Sequence, residues 1–241
     1  MRREKDITSG RKYMGTNRIE EYNKIQKDLF ERMSKDFEVG LNNVKTVAGV
    51  DLAYWKVDEQ EWAVCCIVVL DYNTKKVLEE KYVVDKIEEP YIPGYLAFRE
   101  VPIFLKAYSK LQIEPDVLFF DGNGYLHPRH MGLATHAGII IDKPSIGVAK
   151  SYYKINGVDY KMPEKSEKSY TDIIIGNEVY GRALRTKDDV KPIFISIGNK
   201  IDLDTATIMT INMIDENSRI PIPTRLADLM THKMRKKHIL L

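Results

Sequence analysis

Residues 46–84 read TVAGVDLAYWKVDEQEWAVCCIVVLDYNTKKVLEEKYVV, and the fold turns on how this stretch is divided. Three β-rich runs stand out: Thr46–Leu52, Trp62–Leu70 and Lys76–Val84. The middle run is apolar at nearly every position, the pattern of a strand buried on both faces. The connections are short, and Asp71-Tyr72-Asn73 supplies turn chemistry, so the three runs predict an antiparallel meander. Cys65 and Cys66 are neighbours within the middle strand, which would point them to opposite faces as small buried hydrophobes. Their spacing suits neither a disulfide framework nor a zinc site.

Upstream, Ile19, Tyr22, Ile25, Leu29, Met33 and Phe37 recur every three to four residues, which predicts an amphipathic helix over 18–37 with Asn17 as its cap. Residues 1–17 are polar and without period and read as a flexible leader. Downstream comes a proline-bounded loop, 89–94, then a helix over 95–111 and a buried strand, Val117–Asp121. A glycine-rich turn, a helix beginning near Arg129 and a fifth strand, 145–150, follow. Further β-rich pieces at 171–175, 179–184 and 192–197 read as a hairpin extension, and helices near 202–214 and 224–236 close the chain. Strands beyond the meander need helical crossovers and hence parallel pairing. The expected fold class is therefore α/β: a mixed sheet, three antiparallel strands then parallel ones, flanked by helices in one domain, 18–241.

The 241 residues are 44% hydrophobic and 30% charged, which excludes a disordered or fibrous chain. No apolar run approaches the ~20 residues of a membrane span, and the first residues lack the apolar middle of a signal peptide. A cytoplasmic protein with no membrane partner is expected, with a monomer as the default. Net charge is only +2, but its distribution is uneven. His232, Lys233, Arg235, Lys236, Lys237 and His238 have no acid among them, and Arg2, Arg3, Lys5, Arg11 and Lys12 outnumber Glu4 and Asp6. Such ends either embrace phosphates or are solvated tails.

Three carboxylates stand out by position. Asp51 interrupts an apolar strand, Asp121 ends one, and Glu100 lies in the helix between them. Active sites of α/β sheets gather at the carboxyl ends of strands. If the first and fourth strands are adjacent, Asp51 and Asp121 face each other and Glu100 can reach them from the crossover helix. Three carboxylates together need a cation, and an oxygen-rich set suits Mg²⁺, with Mn²⁺ as substitute. Around Asp121 the stretch DGNGYLHPRH adds two glycines, two histidines and Arg129, placed near a helix start where it could meet a phosphate. Lys150 follows an apolar strand at the same edge and could stabilise charge on a scissile phosphate. The loop tip Tyr91-Ile92, stiffened by Pro90 and Pro93, could wedge between bases.

The stretches VAGVDLAYW (47–55), EPYIPGYLAFRE (89–100), FFDGNGYLHPRHMGLATHAG (119–138), SIGVAKS (145–151) and IPIPTRLAD (220–228), in this order, resemble endonuclease V. The resemblance covers most of the chain from about 18 to 230. It implies an RNase H-like fold and a metal-dependent endonuclease in the repair of deaminated DNA. Such an enzyme hydrolyses the second phosphodiester bond 3′ to deoxyinosine, leaving a 5′-phosphate and the base in place. It also implies roles: Asp51, Glu100 and Asp121 as metal-binding acids, with Asp228 where relatives carry Asp or His close to the metal. Lys150 becomes a phosphate-stabilising group and His127 an active-site neighbour. Tyr91, Ile92 and Pro93 become a strand-separating wedge, while Gly94, Leu96 and Gly122 line a pocket for the flipped base. Inosine pairs poorly, so its extrusion costs less than that of a normal base. Asn123 stands where many bacterial members have His, and the DGNG form also occurs in eukaryotic relatives, some acting mainly on RNA. An inosine-specific endoribonuclease and another RNase H-like nuclease, cutting hybrids or junctions, are the alternative readings. A module that binds inosine without cutting would not need the acids, all of which are present.

Overall fold

The computed structural model describes residues 4–239, with side chains from residue 17 onward. An eight-stranded mixed sheet runs through the molecule. Its first three strands, β1 (Thr46–Val57), β2 (Gln60–Asp71) and β3 (Val77–Lys86), pair antiparallel as the expected meander. β4 (Val117–Asp121) lies parallel beside β1, and β5 (Ser145–Ala149) parallel beside β4. The extension β6 (Tyr170–Ile175), β7 (Glu178–Leu184) and β8 (Ile193–Asn199) joins through β8, antiparallel to β5. The order is β3-β2-β1-β4-β5-β8-β7-β6, so β1 and β4 are central neighbours.

Among the described residues five α-helices accompany the sheet: α1 (Glu4–Phe30), α2 (Leu96–Tyr108), α3 (Leu133–Ile140), α4 (Leu203–Asn212) and α5 (Ile222–Ile239). The first begins well before residue 18, so Asn17 lies inside it rather than capping it, and most of the stretch read as a leader is helical. No proline interrupts that stretch, and its two glycines are tolerated in a helix at ~1 kcal/mol each. Arg2 and Arg3 of the basic N-terminus lie outside the described residues. α1 ends at Phe30, so Met33 and Phe37 reach the core from the segment that follows it. Among the described residues no helix is long and apolar enough to cross a membrane.

Side chains alternate across the central strands, as the pleat requires. Val47 of β1 and Val117 and Phe119 of β4 join the core beneath α4 and α5, whereas Ala48, Val50, Leu118 and Phe120 join the core beneath α2 and α3. Cys65 faces the α2 side and Cys66 packs with Met234 of α5, on opposite faces as expected. α5 can lie close on β1 because residue 49 is glycine: a Cβ there would fall 1.9 Å from the Pro223 carbonyl oxygen.

Candidate active site

The same alternation decides which functional side chains meet. Asp51 shares its face with Val47, Ala53 and Trp55, and Asp121 shares its face with Phe119. The β1–β4 register runs through Val50 and Phe120, so Asp51 and Asp121 follow as neighbours about one strand spacing, ~4.8 Å, apart. The face they look out on is covered by α5, which brings Asp228 down onto them. Oxygen atoms of Asp51, Asp121 and Asp228 all lie within 4.8 Å of one another. Val148 pairs with Asp121, and Lys150 comes one pleat later on the same face. Its Nζ lies 2.6 Å from Asp121 Oδ2 and 3.0 Å from Asp228 Oδ1.

Thr231, one helical turn after Asp228, carries no functional signal in the sequence. Its fully buried hydroxyl lies 2.7 Å from Asp51 Oδ2 and 2.8 Å from the Asp228 carbonyl oxygen, tying strand to helix at the acids. Burial, and then the adjacent Asp121 carboxylate, push the Asp51 carboxyl up to about 7. Burial also raises Asp121, against the hydrogen bond from Lys150. Burial pulls Lys150 down, but its bonds to Asp121 and Asp228 outweigh this and leave it raised. One ammonium among three converging carboxylates leaves the cluster short of positive charge. Hard oxygen donors at this separation fit a divalent cation such as Mg²⁺ or Mn²⁺.

Glu100 stands apart from this trio. The crossover helix α2 covers the opposite face of the sheet, so Glu100 approaches from behind the plane of Asp51 and Asp121. It is buried, and its Oε1 accepts a hydrogen bond from Tyr54, which points to the α2 side of β1. Burial, opposed by that bond and reinforced by Asp51, pushes the Glu100 carboxyl up to about 7. Arg99 pairs with Glu61 and lies 4.8 Å from the Tyr54 ring centroid, completing a buried support that the sequence did not announce.

Beyond the acids, the proline-bounded loop projects Tyr91, 63% exposed, with Pro93 exposed beside it and Ile92 partly covered. Gly94 closes the loop at φ 82°, a conformation that favours glycine. Its carbonyl accepts from Arg129 Nη2 at 2.5 Å and His127 Nε2 at 3.1 Å. Arg129 also donates through Nε to buried Gln26 of α1 at 2.6 Å and stacks 4.1 Å from the Tyr95 ring centroid. α3 starts at Leu133, after Arg129, and the guanidinium latches the loop to α1 through its Nε and Nη2. His127 Nδ1 accepts from the amides of Arg129 and Met131 at 3.2 and 3.3 Å, which leaves its proton on Nε2 for Gly94. Burial, helped by the Arg129 charge, pushes His127 down to about 4, so it is neutral, and none of its hydrogen bonds reaches the acids.

A cavity of about 120 Å³ opens behind the loop, lined by Tyr91, Gly94, Leu96, Asn123, His127 and Tyr153 among others. Asn123 and Tyr153 also line an open groove of about 350 Å³ that contains Asp121, Gly122 and Lys150. Gly122 thus borders the groove rather than the cavity. The Asn123 Oδ1 atom is buried without a hydrogen-bond partner among the described residues. A larger cleft of about 470 Å³, bordered by Lys75, Lys187 and Asp215, lies away from the acids and does not include them.

The family model described as Endonuclease V matches residues 27–229. The chain belongs to the endonuclease V family. A relative from Bacillus thuringiensis subsp. konkukian, named Endonuclease V, is 57% identical over 219 residues, which are 91% of this chain and 93% of the relative. The solved structure of Endonuclease V from Bacillus subtilis is 51% identical and superposes with a TM-score of 0.88, covering 91% and 92% of the two chains. Endonuclease V from Ciona intestinalis, solved with a 24mer DNA containing an inosine followed by a ribo-adenosine, is 33% identical with a TM-score of 0.82, covering 92% and 99%. These likenesses bear out the RNase H-like mixed sheet expected from the endonuclease V resemblance.

Proposed function

We propose that this chain is a Mg²⁺-dependent endonuclease that hydrolyses the second phosphodiester bond 3′ to deoxyinosine in DNA, in the repair of deaminated adenine. The observation that carries the reading is adjacency: through Asp121 and Lys150 the acid cluster borders a groove that shares Asn123 and Tyr153 with a base-sized cavity. Membership of the endonuclease V family, with a relative solved on inosine-containing DNA, supports the choice of substrate. Asp51, Asp121 and Asp228 would hold Mg²⁺, or Mn²⁺ in its place. Glu100 acts as a second line of negative charge from the α2 face. The metal, when bound, polarises the phosphate and lowers the pKa of a water.

The chain's own residues do the remaining work. Lys150 offers an ammonium to the charge that grows on the phosphate oxygens. Water's oxygen bonds to phosphorus and gives up a proton to solvent, the bond to the 3′ oxygen breaks, and that oxygen takes up a proton, so that a 3′-hydroxyl and a 5′-phosphate remain. Tyr91, with Ile92 and Pro93, enters the stack and lets the base swing out into the cavity. There Leu96 and the backbone of Gly94 flank the base, and the unpartnered Asn123 Oδ1 offers an acceptor to its N–H edge. His127 holds the Gly94 carbonyl and is a positioning group.

A nicking assay on matched strands bearing one inosine, in DNA or RNA, tests the reading. A nick one nucleotide beyond the 3′ linkage of the inosine is expected, fastest on DNA. Faster cutting of the RNA strand would reassign the substrate to inosine in RNA. Cutting of hybrids or branched duplexes without regard to inosine would overturn the reading.

A further inference from the structure

The C-terminal half of α5 carries a row of basic side chains that neither the acid trio nor the base cavity uses. Residues 229–239 contain no acid, and the family model's match ends at Leu229. The helix separates its faces cleanly. Thr231, Met234 and His238 turn inward; Met234 packs against Val64 and Cys66, and His238 stacks on Trp55. The outward row begins one turn after Asp228, which itself reaches down to the other acids. His232 Nε2 lies 3.8 Å from Asp228 Oδ1, and Arg235 Nη2 lies 3.1 Å from His232 Nδ1. Lys236 continues that row one turn beyond His232, and Lys233 and Lys237 flank it, exposed.

We infer that this outer face of α5 is a phosphate rail, seating the sugar-phosphate backbone of the nucleic-acid substrate on one flank of the inosine. The inference rests on the proposed function for the identity of that nucleic acid. Two observations choose the occupant. The row is continuous with the acid trio, through His232 beside Asp228, and its charge is the complement of a phosphate chain. At 1.5 Å per residue, Lys236 stands ~12 Å along the axis from Asp228. That is the reach of three to four base pairs at ~3.4 Å per step. The rail would therefore grip phosphates just outside the cut, without reading sequence.

Counterion release makes this testable apart from cleavage. For each phosphate that the protein ceases to neutralise, the dependence of log affinity on log salt becomes shallower by ~0.9 on duplex DNA. We expect the full-length variant Arg235→Gln/Lys236→Gln/Lys237→Gln, titrated without metal against a plain duplex lacking inosine, to bind more weakly than wild type. Its salt slope should be shallower by about 2 to 3. On a second duplex that carries one inosine, shortening one flank beyond it to about two base pairs, within the ~12 Å reach, should weaken wild type but leave the variant unmoved. An unchanged melting temperature keeps the comparison clean, because the lysines replaced are exposed. Should the triple variant lose stability, Lys236→Glu/Lys237→Glu carries the same test. Unchanged affinity and salt slope would overturn the rail, as would a loss of binding confined to anionic lipid vesicles. Because the plain duplex carries no inosine, a changed slope beside absent inosine nicking would keep the rail and reject the proposed function instead.

Discussion

The two faces of β1 carry acids with opposite environments. On the α5 face, Asp51 meets Asp121, Asp228 and Lys150, and Asp121 and Lys150 line a groove open to solvent. On the α2 face, Glu100 is buried, hydrogen-bonded by Tyr54, and backed by Arg99. Both Asp51 and Glu100 are pushed up to about 7 chiefly by burial. Their chemistry differs because one is assembled with partners around an accessible space and the other is sealed behind it. The three acids are therefore not equivalent: the pleat sets Asp51 and Asp121 on one face, and the side covered by α2 sets Glu100 behind it.

The comparison is most directly broken by charge removal on each face. Asp121→Asn should leave the melting temperature near that of wild type and cut the nicking rate by ~10²–10³-fold or more, as removal of a charge-stabilising group does. Glu100→Gln, acting from behind, should cost ~10–100-fold, the scale of outer-shell groups. Single-turnover rates at equal Mg²⁺ measure both, and an equal loss would erase the distinction between the faces.

Smaller effects probe how the α5 face is assembled. Gly49→Ala carries no chemistry, yet its methyl would collide with the Pro223 backbone and push α5 off the sheet. A loss of ~1–3 kcal/mol in denaturant unfolding is expected, together with weaker nicking because Asp228 moves with the helix. Thr231→Val keeps the shape and removes the hydroxyl between Asp51 and Asp228. The Mg²⁺ concentration for half-maximal nicking should rise ~10-fold; an unmoved midpoint would reduce Thr231 to packing.

The smallest effect concerns pH. Burial pushes His127 and His136 down to about 4 from 6.5, so between those values the unfolded chain binds protons the folded one refuses. Their contribution to stability is complete above pH 6.5 and is lost as pH falls toward 4. Asp51 and Glu100 act in the other direction: raised to about 7, they favour the folded state at low pH and lose that contribution as pH rises through 7. The histidine part is isolated by difference. His136→Phe, beside Phe98, should gain stability relative to wild type as pH drops from 6.5 to 4, by denaturant titration. A constant difference across that window would contradict the assignment.

Much of this is legible in the chain because strands announce parity. The apolar runs flanking Asp51, Asp121 and Lys150 fix their elements and, once β1 and β4 are neighbours, their common face. What the sequence withholds is which helix covers which face. Glu100 looks equivalent to the two aspartates because the side taken by a crossover helix is not written in local periodicity. Thr231 and Tyr54 escape for the same reason: a threonine in a helix and a tyrosine in a strand acquire roles only when an acid arrives across the sheet. A guanidinium near glycines suits a phosphate and a backbone carbonyl equally well, and the sequence does not show that Arg129 reaches the Gly94 carbonyl and Gln26.

The metal centre is tested most directly by a Mg²⁺ titration of nicking on an inosine-containing DNA strand, with wild type and Asp121→Asn side by side. A saturable rise is expected for wild type, abolished by chelator, and a flat line for the variant. Nicking that persists in chelator, or that Asp121→Asn retains in full, would contradict a metal centre built on Asp51, Asp121 and Asp228.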